Sequence, residues 1–197
     1  MSDRKEGDLE DPKNVDGPVM PFCVHDFLVS YPKLFMVHHA LETPFQVFNM
    51  AGTLLGGVFY GVFRRPATFP SALAMMGTSG LVLGCCGSML GLAKLCSIVA
   101  QGENNAPIPW NDDGIQQRVD GIRHNFKVRV LDTSSWGGIV LGGAALAVAA
   151  GGPTKLRLSP GLLGVCQALC LGSAFGTMGA FGCIASLHNK GGSSPEK

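Results

Sequence analysis

The sequence predicts an all-α membrane protein with four transmembrane helices, glycine-rich packing and an N-terminal interfacial segment. Two observations support this prediction: four long apolar stretches interrupt a polar chain of 197 residues, and each stretch contains glycines four residues apart. The hydrocarbon core of a bilayer is about 30 Å thick, so a helix needs roughly 20 residues to cross it. Each stretch is therefore long enough to span a bilayer as a helix.

The first 44 residues are expected to form a polar arm and an interfacial segment. Residues 1–20 are acidic, rich in proline and poor in apolar side chains, so they are not expected to fold alone. Residues 24–48 mix aromatic and aliphatic side chains with His and Lys, which is typical of a segment at the membrane surface. Pro32 and Pro44 are expected to start or break helices there. We expect any targeting signal to be internal.

The predicted spans form one membrane domain over residues 45–187. They cover residues 45–63, 69–95, 134–152 and 161–187, and the first and third contain no charged side chain. A central loop at 101–133 separates the second and third spans, and a polar tail at 188–197 follows the fourth. The composition of the whole chain is intermediate, with 46% hydrophobic and 15% charged residues, because the polar segments dilute the spans.

Basic residues in the two short links between spans predict the orientation. Arg64 and Arg65 follow the first span, Lys155 and Arg157 follow the third, and neither link contains an acid. Short links rich in Lys and Arg tend to stay on the side of synthesis. We therefore expect both termini and the central loop on the opposite face. The net charge of +1 gives no support to nucleic-acid binding.

The glycines within the spans are the most specific local signal. In lipid, helices associate through close packing, and glycine permits two helix backbones to approach each other. We therefore predict that these glycines pack helices and do not line a substrate path. The predicted helix-packing residues are Gly52, Gly56, Gly57, Gly61, Gly80, Gly84, Gly87, Gly91, Gly138, Gly142, Gly172 and Gly176.

Residues that could support catalysis, metal binding or ion transport are few. His39 and Glu42 are three residues apart and His38 precedes them, but no second cluster completes a metal site. Cys166 and Cys170 share a helix face, and we interpret them as packing residues, because two thiols alone make a poor metal site. The spans lack the acid or arginine that marks an ion route. We predict no catalytic residue, no cofactor and no metal, with structural phospholipid as a candidate bound molecule.

The central loop carries a polar cluster just before the third span, formed by Arg118, Asp120, Arg123 and Asn125. These groups can pair across helix ends or dock on a neighbouring subunit, and they can equally form a solvated face. Trp110, in the turn-rich stretch before them, is expected to anchor at the membrane surface.

These features resemble the Tim-seventeen, Tim-twenty-two and Tim-twenty-three family of mitochondrial inner-membrane proteins. The family has four glycine-rich spans and a segment bearing Arg, Asp and Asn before the third. The resemblance covers about residues 45–187, and Arg118, Asp120 and Asn125 match the polar segment. The glycines that match are Gly52, Gly56, Gly57 and Gly61 in the first span and Gly137, Gly138, Gly142 and Gly143 in the third.

The resemblance implies a place in the mitochondrial inner membrane, with the termini and the loop at 101–133 on the intermembrane-space side. One branch of the family comprises preprotein translocase subunits, and another is the accessory subunit of respiratory complex I, the NADH:ubiquinone oxidoreductase. Because the spans offer few polar groups for conduction, we expect a non-catalytic structural subunit of the complex I membrane arm or its supercomplex. The expected partners are other membrane subunits and membrane lipids, cardiolipin included. The alternatives are a preprotein translocase subunit and a small membrane transporter.

Overall fold

Helices make up almost all of the part of the chain that the structure describes. The computed structural model describes residues 27–63, 68–101, 108, 110–151 and 161–191. Within these residues the chain forms five helices and no strand, which confirms the all-α prediction for this part. The helices are α1 (Pro32–Phe63), α2 (Phe69–Gln101), α3 (Asp112–Arg123), α4 (Phe126–Gly151) and α5 (Leu162–Gly191). The acidic arm at 1–20, with residues 21–26 after it, lies outside the described residues.

Three helices are long and apolar enough to cross a membrane, namely Pro32–Phe63, Phe69–Gln101 and Leu162–Ser186. They correspond to the first, second and fourth predicted spans. Of α4, the side chains are described for residues 126–145, and this stretch is not among the three. Membrane-spanning character is therefore supported for three helices, and the fourth crossing stays a prediction.

The four long helices form two antiparallel hairpins that meet along α5. α1 pairs with α2, α4 pairs with α5, and α5 also contacts α1 and α2. α3 covers the end of the bundle at which α1 begins, where its buried Ile115 and Val119 pack on Phe35 and Met36. Because α4 follows α3 after two residues, α1 and α4 start at the same end and run in the same direction.

α1 runs unbroken through Pro44, so the expectation that this proline starts or ends a helix is wrong. Proline lacks the N–H that would bond to the carbonyl of Ala40. That carbonyl instead faces Gly91 of α2, at a position where a larger side chain would collide with it. Beside it, Ser88 Oγ donates to the carbonyl of Leu41 at 2.9 Å. At the proline, α2 therefore contacts the backbone of α1 directly and donates one hydrogen bond to it, and membrane helices tolerate proline where a neighbouring helix supplies such partners.

Glycines line the contact between α1 and α2. On α2 the glycines that face α1 are Gly80, Gly84, Gly87 and Gly91, spaced alternately four and three residues apart and all buried. Gly77, three residues before Gly80, is buried against Gln167 of α5. This spacing is the seven-residue repeat of a helix pair, with glycine at the contact positions. A Cβ added at Gly87 would lie 2.6 Å from the carbonyl oxygen of Pro44. The four-residue pairs seen in the sequence are thus parts of one longer repeat.

Small residues at four-residue spacing face each other between α4 and α5. The facing residues are Ser134, Gly138 and Gly142 on α4 and Ala168, Gly172 and Gly176 on α5. A Cβ added at Gly142 would lie 2.6 Å from the carbonyl oxygen of Ala168, and one at Gly138 would collide with the backbone of Gly172. The two backbones are therefore in direct contact.

The four predicted packing glycines on α1 differ in what they face. Gly52 and Gly56 face Ser79 of α2, whereas Gly61 is exposed, with open space beside it among the described residues. Gly57 meets the flexible side chain of Met76, whose sulfur would lie 3.3 Å from an added Cβ. Gly57 therefore contacts α2 through a side chain, and Gly61 has no described atom where a side chain would stand.

Candidate functional site: a polar junction inside the bundle

Among the described residues, eight polar side chains are no more than 1% exposed. Most lie where α1, α4 and α5 meet, and we call five of them the polar junction: Gln46, Asp132, Ser135, Ser173 and Thr177. Burial of a polar group is costly unless the group finds a hydrogen-bond partner. The hydrogen-bond partners of these side chains therefore indicate their role in the bundle.

Gln46 of α1 connects two carboxylates. Its Nε2 donates to Glu42 Oε1 at 3.0 Å, one turn earlier on α1, and to Asp132 Oδ1 at 3.2 Å on α4. Glu42 Oε2 lies 3.1 Å from His38 Nδ1. A chain of polar groups therefore leads from the partly exposed His38 to the fully buried Asp132, and one amide joins the two hairpins.

The burial of Asp132 corrects the expectation that the loop extends to residue 133. The predicted third span begins at residue 134, which leaves this aspartate in the loop. α4 begins at Phe126 instead, and Asp132 lies in its second turn with no exposed surface. Asn125 caps the helix, since its Oδ1 accepts from the N–H of Lys127 at 3.1 Å and of Val128 at 3.4 Å. Asparagine is a favoured N-cap residue, so the early start was readable from the sequence.

Three further hydrogen bonds tie α5 to the other long helices. Asn49 Nδ2 donates to the carbonyl of Cys170 at 2.9 Å, which joins α1 to α5. The hydroxyl oxygens of Ser135 and Ser173 are 2.8 Å apart and join α4 to α5. At the other end of the bundle, Gln167 of α5 donates through Nε2 to Thr78 Oγ1 of α2 at 2.8 Å. The sequence identifies these polar residues, but only the tertiary structure shows that they face one another.

The histidines pair differently from the sequence proposal. His38 contacts Glu42 because residues four apart lie one above the other on a helix, and His39 Nδ1 lies 3.2 Å from Thr43 Oγ1. Within the described ranges, no group of three or more His, Cys, Asp or Glu side chains is arranged to hold a metal ion. Cys166 and Cys170 are free thiols.

The segment expected as a loop at 101–133 contains α3 and the first two turns of α4. Asn111 caps α3, accepting through Oδ1 from the N–H of Gly114 at 2.8 Å. Lys33 Nζ of α1 lies 3.1 Å from Asp112 Oδ1 in an exposed ion pair. Ile115, Val119 and Ile122 are four and three residues apart and form one apolar face of α3. The many charged residues of this segment hide that helical spacing in the sequence.

The predicted docking residues make local contacts. Arg118 Nη2 donates to the carbonyl of Ile108 at 2.6 Å, and its guanidinium carbon lies 5.9 Å from the ring centre of Trp110. Asp120 accepts from Gln116 Nε2 at 3.2 Å on the exposed face of α3. Arg123 lies exposed in the last turn of α3, and Asn125 is the N-cap of α4. Docking of these four residues on another subunit stays a prediction.

A groove of about 710 Å³ runs beside the contact between α4 and α5. Its lining is almost entirely apolar and includes Gly137, Leu141, Phe175 and Gly179. Leu141 is 71% exposed and Phe175 is 54% exposed. Gly137 and Gly179 have open space where a side chain would stand, as far as the described residues extend. The groove therefore leaves room next to two helix backbones.

No protein-family model matches the chain, and neither does any curated protein or any solved structure. The resemblance stated from the sequence therefore stays a prediction. The function has to be argued from the helix contacts, the polar junction and the groove.

Proposed function

We propose that this protein is a non-catalytic structural subunit of a larger membrane complex. The observation that supports the proposal is the pair of outward-facing glycines, Gly137 and Gly179, in the groove beside α4 and α5. Glycine within a helix costs about 1 kcal/mol relative to alanine. For glycines inside the bundle, close contact between helix backbones offsets this cost in stability. Beside Gly137 and Gly179, no described atom fills the space where a side chain would stand. A helix of a neighbouring subunit packed there would supply the missing contacts.

The interior of the bundle also suits a structural role. The side chains of Gln46, Asn49 and Ser135 use hydrogen bonds to join α1, α4 and α5. The backbones touch along both hairpins, and interiors packed in this way resist deformation. A rigid unit with apolar outer faces is well suited to hold neighbouring subunits in place.

The larger complex that we propose is respiratory complex I of the mitochondrial inner membrane, in its membrane arm or its supercomplex. The sequence resemblance at residues 45–187 supports this proposal. The same proposal includes four membrane crossings, with the termini and α3 on the intermembrane-space side, and contacts with cardiolipin and other membrane subunits. α1 begins and α5 ends at the end of the bundle that α3 covers, so the fold is compatible with this arrangement.

Native electrophoresis of tagged protein in mild detergent tests the proposal. Co-migration with NADH dehydrogenase activity, together with loss of complex I assembly on depletion, is the expected result. Gly137→Leu should fold but fail to incorporate, because the side chain fills the groove. Gly61→Leu is the matched control, since it makes the same substitution at an open glycine on α1 that lies outside this groove. Migration of the wild-type protein as an isolated species, with normal complex I after depletion, would overturn the proposal.

One observation favours a second candidate, a preprotein translocase subunit. Glu42 and Asp132 lie close together between long apolar helices, joined by Gln46. Ionisable residues inside membrane segments are commonly functional. Co-migration with preproteins or with small chaperones of the intermembrane space would support this candidate over the first.

A further inference from the structure

We propose that the acidic arm of this chain, residues 1–20, docks on a basic corner where α3 meets α4. The basic corner consists of Arg123 in the last turn of α3 and of Lys127 and Arg129 in the first turn of α4. Arg123 and Lys127 are exposed, and Arg129 is half-buried. This inference goes beyond the structural role, because it concerns a contact within the chain and not one with a neighbouring subunit.

Positive charge is concentrated at the basic corner. Residues 121–131 contain three Arg and Lys side chains and no Asp or Glu. α3 begins with Asp112 and Asp113, which suit the positive end of a helix dipole, whereas the first turn of α4 contains no acid. Lys127 and Arg129 therefore add positive charge to a helix end that favours negative charge. An acidic segment docked there would stabilise this end of α4.

The two acids that flank the basic corner in sequence are engaged in other contacts. Asp120 accepts a hydrogen bond from Gln116 Nε2 at 3.2 Å, within α3. Asp132 is fully buried and accepts from Gln46 Nε2 at 3.2 Å. A carboxylate that balances the basic corner is therefore expected from a more distant part of the chain or from a partner.

Among the segments outside the described residues at this end of the bundle, the arm carries most of the acid. Residues 1–20, which precede α1, contain six acidic and three basic side chains. The tail at 192–197, which follows α5, contains one of each, and the link at 102–107, which follows α2, contains a single acid. Charge complementarity therefore favours the arm over the other two segments.

The chain enters the described region close to the basic corner. Leu28 and Val29 pack on the same apolar cluster as Ile122, the residue before Arg123. Phe27 follows Asp16 by eleven residues, a length that can extend to roughly 36 Å, whereas packed helices lie about 8–10 Å apart. The arm can therefore reach the corner. A tethered segment meets its site at a concentration on the order of millimolar, which favours the arm over a separate acidic protein.

Carbodiimide cross-linking, which joins a carboxylate to an amine in direct contact, tests for this docking. The sample is the purified full-length protein in dodecyl maltoside micelles, without other subunits. We expect mass spectrometry to find an amide bond between an acid of residues 1–20 and Lys127, in a product that migrates as a monomer. Lys127→Arg keeps the charge and should lose this link. Lys94, an exposed lysine of α2 near the same end of the bundle, is the internal control and should give little product.

Trypsin cleavage after Lys13 measures how firmly the arm is docked. An exposed ion pair changes an equilibrium constant by about 1.4- to 5-fold, and reversal of one charge turns the attraction into a repulsion of similar size. Lys127→Glu should therefore speed cleavage by about 2- to 30-fold, because the protease acts on the undocked arm. The new acid suits the helix dipole of α4, so unfolding of α4 would not explain the increase. Lys94→Glu makes the same change of charge on α2 and should leave the rate unchanged.

Several results would overturn the proposal. Links from the arm that leave out Lys127, or an unchanged cleavage rate in Lys127→Glu, would show that the arm does not lie on the basic corner. A cross-linked dimer would assign the corner to the arm of a second copy. Loss of the Lys127 link when phosphatidylglycerol is added to the micelles would assign the corner to lipid headgroups. Both measurements use the isolated protein, so they do not depend on its incorporation into a larger complex.

Discussion

Gly137 and Gly138 of α4 are adjacent in sequence but differ in what surrounds them, and substitution by alanine should separate them clearly. A Cβ on Gly138 would collide with the carbonyl oxygen of Gly172 and lie 2.7 Å from its carbonyl carbon. A Cβ on Gly137 would meet no described atom within 4 Å. The two variants add the same methyl group to the same helix, one residue apart.

The expected difference follows from this geometry. Unstrained carbon atoms pack at roughly 3.5–4.0 Å, so Gly138→Ala must push α4 and α5 apart by about 1 Å. A gap of that size removes about a quarter to a half of the contact attraction around it. Overpacking of this kind costs about 1–3 kcal/mol. The gain in helix propensity, about 1 kcal/mol, applies to both variants and cancels in their difference.

Unfolding in detergent, followed by circular dichroism during titration with sodium dodecyl sulfate, measures this difference. We expect the free energy of unfolding of Gly138→Ala to be lower than that of Gly137→Ala by about 1–3 kcal/mol. Equal stability of the two variants would show that the backbones of α4 and α5 are not in contact. That result would refute the close packing on which the rigid-subunit argument depends.

The same unfolding measurement checks three more predictions. Gln46→Leu leaves two carboxylates without their shared donor and should lower the free energy of unfolding by about 1–3 kcal/mol, and a neutral result would show that the amide does not bridge them. A double-mutant cycle of Ser135→Ala and Ser173→Ala should give a coupling energy of about 0.6 kcal/mol, against zero if the hydroxyls do not bond. Asn111→Ala removes the N-cap of α3 and should cost about 1 kcal/mol, with faster amide hydrogen exchange confined to that helix; uniform exchange rates would contradict the capping role.

Local sequence patterns predicted most of the helices but not all of their ends. Uncharged runs of about 20 residues indicate membrane helices because a bilayer core offers no other partner for backbone groups. A search for uncharged runs predicts that α4 starts at residue 134, because the helical turns before that residue contain charged side chains. α4 extends back to Phe126, because Asn125 caps the helix and Asp132 is bonded by Gln46. A contact that arises only when two hairpins meet is not visible in a hydropathy pattern.

The sequence by itself determined that the chain is helical, that long apolar segments dominate it, and that small residues recur at helical spacing within them. Those properties depend on neighbours along the chain. Only the tertiary structure decided which glycines pack and which stay open, because Gly137 and Gly138 differ solely in what faces them. It also decided that Gln46 and Asp132 meet, since their separation in sequence says nothing about their distance across the bundle. Packing partners, and with them the candidate site, are properties of the assembled bundle.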